Sequence, residues 1–160
     1  MSGDAVESTG VTLWEGGTTP CTTAAEYAAL TWVKVEEVMD LGEFGRTTEK
    51  VTYKTLDGGR VRKKKGTYDS GSPTVQLARI PAGAGQAAMR TAAASKLAHN
   101  FKVEFDDAPA AAGSTPTRMY FGAYVMGYTT KVGGPDGVVQ ATVAMEIDTD
   151  VVEIDAEEGP

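Results

Sequence analysis

The sequence predicts a mainly β protein: a β-sandwich or partial barrel of two antiparallel sheets with one α-helix packed on it. Three observations carry this reading. The last third alternates apolar and polar residues with a period of two, as strands with one dry and one wet face do. Nineteen glycines stand beside only 8% aromatic residues, so turns must be frequent. A single stretch, 83–98, changes to the helical period.

The elements follow in order. MSGDAVESTG (1–10) reads as a flexible polar arm and VTLW (11–14) as a short strand. EGGTTPCTTAAEYAAL (15–30) passes from turn residues to alanine, giving a loop or one helical turn and completing an N-terminal segment of residues 1–30. TWVKVEEVMDLG (31–42) is β-branched in its first half and predicts a strand stopped by Gly42, and EFGRTTEK (43–50) a polar loop. KVTYKTL (50–56) alternates, reaches Asp57-Gly58-Gly59 and returns as RVRKKKG, which predicts a hairpin. PTVQLARI (73–80) alternates again. In GAGQAAMRTAAASKLAHN, Met89, Ala93 and Leu97 fall at i, i+4 and i+8 and define a helix packing face. NFKVEFD (100–106), MYFGAYVMGY (119–128) and GVVQATVAMEID (137–148) are two-faced strands, the last two separated by the turn GGPDG. The tail, 149–160, is acidic.

Length and composition narrow the function classes. At 160 residues the simplest organisation is one domain, 1–160, large enough to bury a core without a staple. Cys21 is the only cysteine, so an internal disulfide and a paired-cysteine zinc site are both excluded. No apolar run approaches the ~18 residues of a membrane span, and the first residues lack the basic and apolar regions of a signal peptide. The expectation is a soluble chain made in the cytosol with no membrane anchor. A pI near 4.7 argues against a grip on nucleic acid.

The chemistry-bearing residues are few. His99 is the sole histidine, expected at a helix end or on the surface, and no G-x-S-x-G motif is present. GAGQAA (83–88) has the form G-x-G-x-x-A and suggests a nucleotide-binding enzyme as a remote alternative. Pro81-Ala82 before it, the short helix and the alternating strand upstream all oppose that reading. Glu36-Glu37, Asp106-Asp107 and the tail read as solvated acidic faces. No catalytic, metal-binding or cofactor-binding residue is expected.

One cluster stands apart. Arg60, Arg62, Lys63, Lys64 and Lys65 hold five of the chain's 15 basic residues, leaving 10 basic against 22 acidic residues elsewhere. Like charges this close repel unless an opposite surface approaches. The acidic surface of another copy is such a surface, and head-to-tail contacts of that kind generate rings or filaments.

Three stretches, in order, resemble the major tail tube protein of long-tailed, non-contractile bacteriophages, the group that includes the lambda major tail protein. TTEKVTYKTLDGGRVRKKKGTYDSG is similar to that family's alternating strand, T-L-D turn and charged return. PTVQLARIPAGAGQAAMRTAAAS resembles its strand, loop and G-Q-A-A-[LM]-R helix. MYFGAYVMGYTTKVGGPDGVVQATVAMEID resembles its A-Y-V-x-G strand, turn and final amphipathic strand. The likeness spans residues 31–150; residues 1–30 match poorly.

The resemblance implies a structural virion protein rather than an enzyme. Hexameric rings would stack into a hollow tail tube, each subunit giving strands to a continuous inner barrel through which DNA passes without specific binding. The long hairpin, 42–72, would reach a neighbouring ring. Its basic residues, Arg60, Arg62, Lys63, Lys64 and Lys65, would clamp an acidic surface there. Gln140, Thr142 and Glu146 become lumen candidates. Tail terminator, tail-tip and tape measure proteins become expected partners. The inner tube of a contractile tail or secretion system is the near alternative, and a non-polymerising capsid decoration protein a further one.

Overall fold

The structure, a computed structural model, describes residues 5–159. In chain order its elements are β1 (Thr12–Glu15), α1 (Ala24–Ala28), β2 (Val33–Val35), β3 (Val38–Asp40), β4 (Thr47–Lys54), β5 (Val61–Asp69), β6 (Thr74–Ala78), α2 (Ala84–Ala94), β7 (His99–Glu104), β8 (Arg118–Lys131), β9 (Gln140–Ile147) and β10 (Val152–Ile154). The fold is mainly β, with two antiparallel sheets and little helix. One sheet has eight strands in the path β2-β1-β7-β8-β9-β6-β3 with β10 beside β8, and the other is the hairpin β4-β5.

β8 organises the large sheet because it is long enough to serve two sets of neighbours. Its first half pairs β7, from Arg118↔Glu104 to Ala123↔His99. Its second half pairs β9, from Ala123↔Ile147 to Lys131↔Gln140, with a bulge between Val125 and Gly127. β9 and β10 run in succession along β8, interrupted at 148–151. There the Asp148 amide donates to the Gly122 carbonyl and the Gly122 amide to Thr149 Oγ1.

The segment expected as one strand, 31–42, is broken. Glu36 and Glu37 form a turn, with Glu37 at φ 53°, and the two halves go to opposite ends of the sheet. β2 pairs β1 while β3 pairs β6. Two residues therefore connect the first and last strands of the path, and the sheet wraps around until its ends meet. Two adjacent charged side chains cannot both be kept out of a dry interior in a continuous buried strand, so the chain turns where they occur.

Inside the wrap lies one apolar cluster. It includes Leu13, Val35, Phe101, Val103 and Phe121 from one half of the sheet and Val75, Leu77, Ala141, Val143 and Met145 from the other. α2 closes it with Met89 and Ala92, both fully buried, and with Ala93 packed at the margin. The helix is shorter than 83–98. Ser95 adopts an extended conformation, ψ 149°, as its amide donates to the Thr91 and Ala92 carbonyls. Leu97, expected on the packing face, lies beyond that end and is 61% exposed. Its helical spacing continued one turn further than the backbone did.

A second cluster sits on the outer face. Tyr27 of α1 stacks on Tyr120 of β8, ring centroids 5.2 Å apart, and Trp32 tilts against Tyr120 at 5.7 Å. Val152 and Ile154 of β10 join them. Burial pushes the Cys21 thiol up, aided by the nearby Glu26 carboxylate, so this lone thiol is held in its unreactive form. The N-terminal segment thus covers part of the outer face and leaves the β8–β9–β6 portion open.

Candidate assembly surfaces

The hairpin holds the longest run of exposed residues among those described, 46–65. Both strands are exposed along their lengths, with only Gly66 partly covered. Register divides the basic cluster between two faces. Lys50↔Lys65, Thr52↔Lys63 and Lys54↔Val61 put four cations on one face beside Thr52 and Val61. Val51↔Lys64 and Tyr53↔Arg62 make the other face apolar with two cations, Lys64 Nζ lying 6.0 Å from the Tyr53 ring centroid. Arg60 and Leu56 belong to the connecting loop, where Leu56 is fully exposed. An isolated two-stranded hairpin is marginally stable in water, and one carrying seven cations between residues 50 and 65 also repels itself.

Its base, by contrast, is anchored. Arg46 lies 4.0 Å over the Tyr68 ring and pairs with Asp150 at 3.1 Å. The Gly45 amide donates to the Ser70 carbonyl at 2.8 Å. These contacts tie the base of the hairpin to the link between β9 and β10.

Gln140, Thr142 and Glu146 share the open outer face with Ala144, alternating with the buried Ala141, Val143, Met145 and Ile147. Tyr124 stands opposite Glu146, and the Glu146 carboxylate accepts a hydrogen bond from the Ser72 hydroxyl. The face is neutral to acidic at its centre. The two ends of β8 differ in charge: Arg79, which donates to Thr130 Oγ1 at 2.6 Å, and Lys131 lie at one end, while at the other Asp106, Asp107, Asp155 and Glu157 outnumber Arg118, which opens the strand.

At the acidic end the wrapped sheet is open. A cleft of about 510 Å³ has an apolar floor of Val11, Val38, Leu41, Phe44, Val103 and Phe105, with Glu7 and Asp40 at its rim. A second hollow shares Val6 and Glu7 and adds Asp106, Asp107 and Asp155.

Two groups singled out for chemistry have structural employment instead. The start of α2, GAGQAA, is pressed onto the junction of the sheet's two ends. The Gly85 amide donates to Glu36 Oε1 at 2.6 Å, so a carboxylate of the chain itself already holds the place of a bound phosphate. A Cβ on Gly85 would lie 1.9 Å from the Lys34 carbonyl oxygen. Gln86, fully buried, donates to the Glu36 and Ala78 carbonyls at 2.9 and 2.8 Å and accepts from the Ile80 amide at 2.7 Å. His99 is neither at a helix end nor on the surface: it opens β7, buried, with Nδ1 2.9 Å from Glu15 Oε1. That carboxylate also accepts from the Gly17 amide at 2.7 Å, which fits a positioning role for the loop after β1. Among the described residues no group of three or more His, Cys, Asp and Glu side chains is arranged to hold a metal, and no helix is long and apolar enough to cross a membrane.

No protein-family model matches the chain, and no curated protein matches it. Its fold, however, is shared by solved structures over nearly its whole length. One is a chain in the cryo-EM structure of the anti-feeding prophage baseplate, with TM-score 0.70 and 13% identity, covering 97% of this chain and 98% of the other. Another is the SPP1 tail tube, with TM-score 0.65 and 12% identity over 96% of this chain and 81% of the other. A third belongs to the sheath/tube terminator of an extracellular contractile injection system, with TM-score 0.64 and 10% identity over 94% and 97%. The fold is that of tail tube and injection-system proteins.

Proposed function

We propose that this chain is a structural subunit of a phage tail tube. Copies join side by side into hexameric rings, and the rings stack into a hollow tube that conducts DNA. The observation that carries this is the likeness of fold to the SPP1 tail tube over 96% of this chain, joined to an exposed, basic hairpin that lacks cover in the single chain. Merging the half-wet sheets of neighbours would remove strand edges that a lone subunit leaves open. The face bearing Gln140, Thr142 and Glu146 would then line the lumen, where a neutral to acidic wall lets a polyanion slide. The protein would reside in the virion tail, assembled in the host cytoplasm with terminator, tail-tip and tape measure proteins as partners, and would have no enzymatic activity.

The finer assignment is to a long, non-contractile tail. A second reading, the inner tube of a contractile injection system, is favoured by the likeness to the anti-feeding prophage baseplate chain and to the injection-system terminator. A sheath protein co-purifying with native particles would decide for the second.

Negative-stain electron microscopy of concentrated protein is the test. Rings or tubes are expected; particles that stay single at every concentration would overturn the reading. Reversing Lys63, Lys64 and Lys65 to Glu is expected to abolish tubes, and tubes of normal length and yield would remove the hairpin's role as a clamp.

A further inference from the structure

We infer that the apolar cleft at the acidic end of the sheet is the acceptor for the hairpin of a second copy of this chain. The inference rests on the tube reading and assigns the surface that reading leaves open. Complementarity carries it at two levels. The cleft has an apolar floor, with Phe44 and Phe105 among its side chains, carboxylates of Glu7 and Asp40 in its lining, and that of Asp106 in the hollow that shares Val6 and Glu7 with it. The mixed face of the hairpin presents Val51 and Tyr53 between Arg62 and Lys64, and its loop ends in the fully exposed Leu56. Apolar surface meets apolar surface while each cation reaches a carboxylate. The opposite face, with Lys50, Lys54, Lys63 and Lys65, turns away.

The occupant is another molecule's hairpin because of reach. Leu41, Gly42 and Phe44 line the cleft immediately before the hairpin departs at Arg46. The eight residues of β4 extend the tip roughly 26 Å from that base at about 3.3 Å per residue. A paired, extended hairpin held by Arg46 and Tyr68 cannot bring Leu56 back to the cleft beside its own root. The same geometry makes the contact head-to-tail, so it propagates.

Crosslinking tests this with the full chain. Leu56→Cys and Met39→Cys, both at exposed positions, are combined in one chain and treated with a short bismaleimide; the single variants are controls, and Cys21 is buried. The expected result is a ladder extending beyond dimers from the double variant only. Adding E7K and D106K should reduce it by about tenfold or more, since two attractive charge contacts become repulsive. Adding R62E and K64E to that protein should restore it, and adding K63E and K65E instead should not. Stacked rings in micrographs without a ladder would overturn the cleft assignment and leave the tube reading standing. An internally linked monomer, a ladder indifferent to the charge reversals, or loss without recovery would each overturn it as well. Absence of any ring or tube would remove both.

Discussion

Gln86 shows how one residue holds a closed-up sheet together. The junction between the first and last strands leaves the Glu36 and Ala78 carbonyls and the Ile80 amide without ladder partners, and a single side-chain amide satisfies all three. Gln86→Leu removes every one of those bonds while keeping the volume. Each buried unsatisfied group costs about 1–3 kcal/mol, so a loss of roughly 3 kcal/mol or more is expected, measured as a lower urea midpoint. Gly85→Ala should be comparably harmful, because its Cβ would meet backbone rather than a yielding side chain. Neither role was legible in the sequence: G-x-G-x-x-A suggested only a remote nucleotide-binding motif, and the signal was a carboxylate 49 residues away. Glu26 supplies a pH dependence at the same scale. Hydrogen bonds from the Thr22 hydroxyl and amide, then from Thr23, hold its carboxyl below the usual range. Its folded value is depressed, so the capping contribution is full above the ordinary carboxylate range and is lost as pH falls through the lowered value. Trp32, whose Nε1 donates to the Tyr27 carbonyl at 3.1 Å just past this helix, should report that loss as a fluorescence change in wild-type protein and not in Glu26→Gln.

Among the elements, β9 was the most readable because period-two alternation and burial coincide residue by residue, whereas β8 buries Tyr120, Phe121, Gly122 and Ala123 in succession, since Tyr27 and Trp32 cover its outer face there. β9 buries Ala141, Val143, Met145 and Ile147 as the pattern requires. The hairpin was readable from alternation and its Asp-Gly-Gly turn, although β4 begins at Thr47, inside the stretch expected as loop, because local composition says nothing about how far a ladder extends. The break at Glu36-Glu37 and the end of α2 were less readable, since both are set by what the chain packs against. Exposure and ladder pairing together give the hairpin a dynamic signature. Its amide bonds are solvent-accessible and only β4 and β5 sustain them, so hydrogen exchange in the free subunit should be near that of an unprotected loop for 47–54 and 61–69. β8 and β9, inside the sheet, should exchange only through opening of the whole core. In assembled material the hairpin should become protected by orders of magnitude. Equal protection in the two states would show that assembly leaves the hairpin uncovered.

At the scale of the whole molecule, stability and assembly reside in different parts of the chain. Every residue of the main apolar cluster lies outside 47–69, so the core does not depend on the hairpin. The Gly45 amide and Ser70 carbonyl are already hydrogen-bonded at 2.8 Å, so replacing 47–69 with a short Gly-Ser turn closes a gap the fold has brought together. The shortened protein loses the Arg46–Tyr68 contact while keeping the exposed Arg46–Asp150 pair, which is worth ~0–1 kcal/mol. Its melting temperature should therefore stay within several degrees of the parent. Removing that segment takes away seven of the 15 basic residues and only three of the 22 acidic ones, which raises net acidity, so copies repel more strongly. The outcome expected is a well-folded monomer, or at most separate rings, with no tubes in micrographs. Salt should act in the same direction on the intact protein, with tube yield falling as ionic strength rises and screening shortens the reach of hairpin cations to about 8 Å at 0.15 M. Tubes of normal length from the shortened chain would place the stacking contacts elsewhere. A collapse of its melting temperature would show instead that the hairpin, for all its exposure, supports the core.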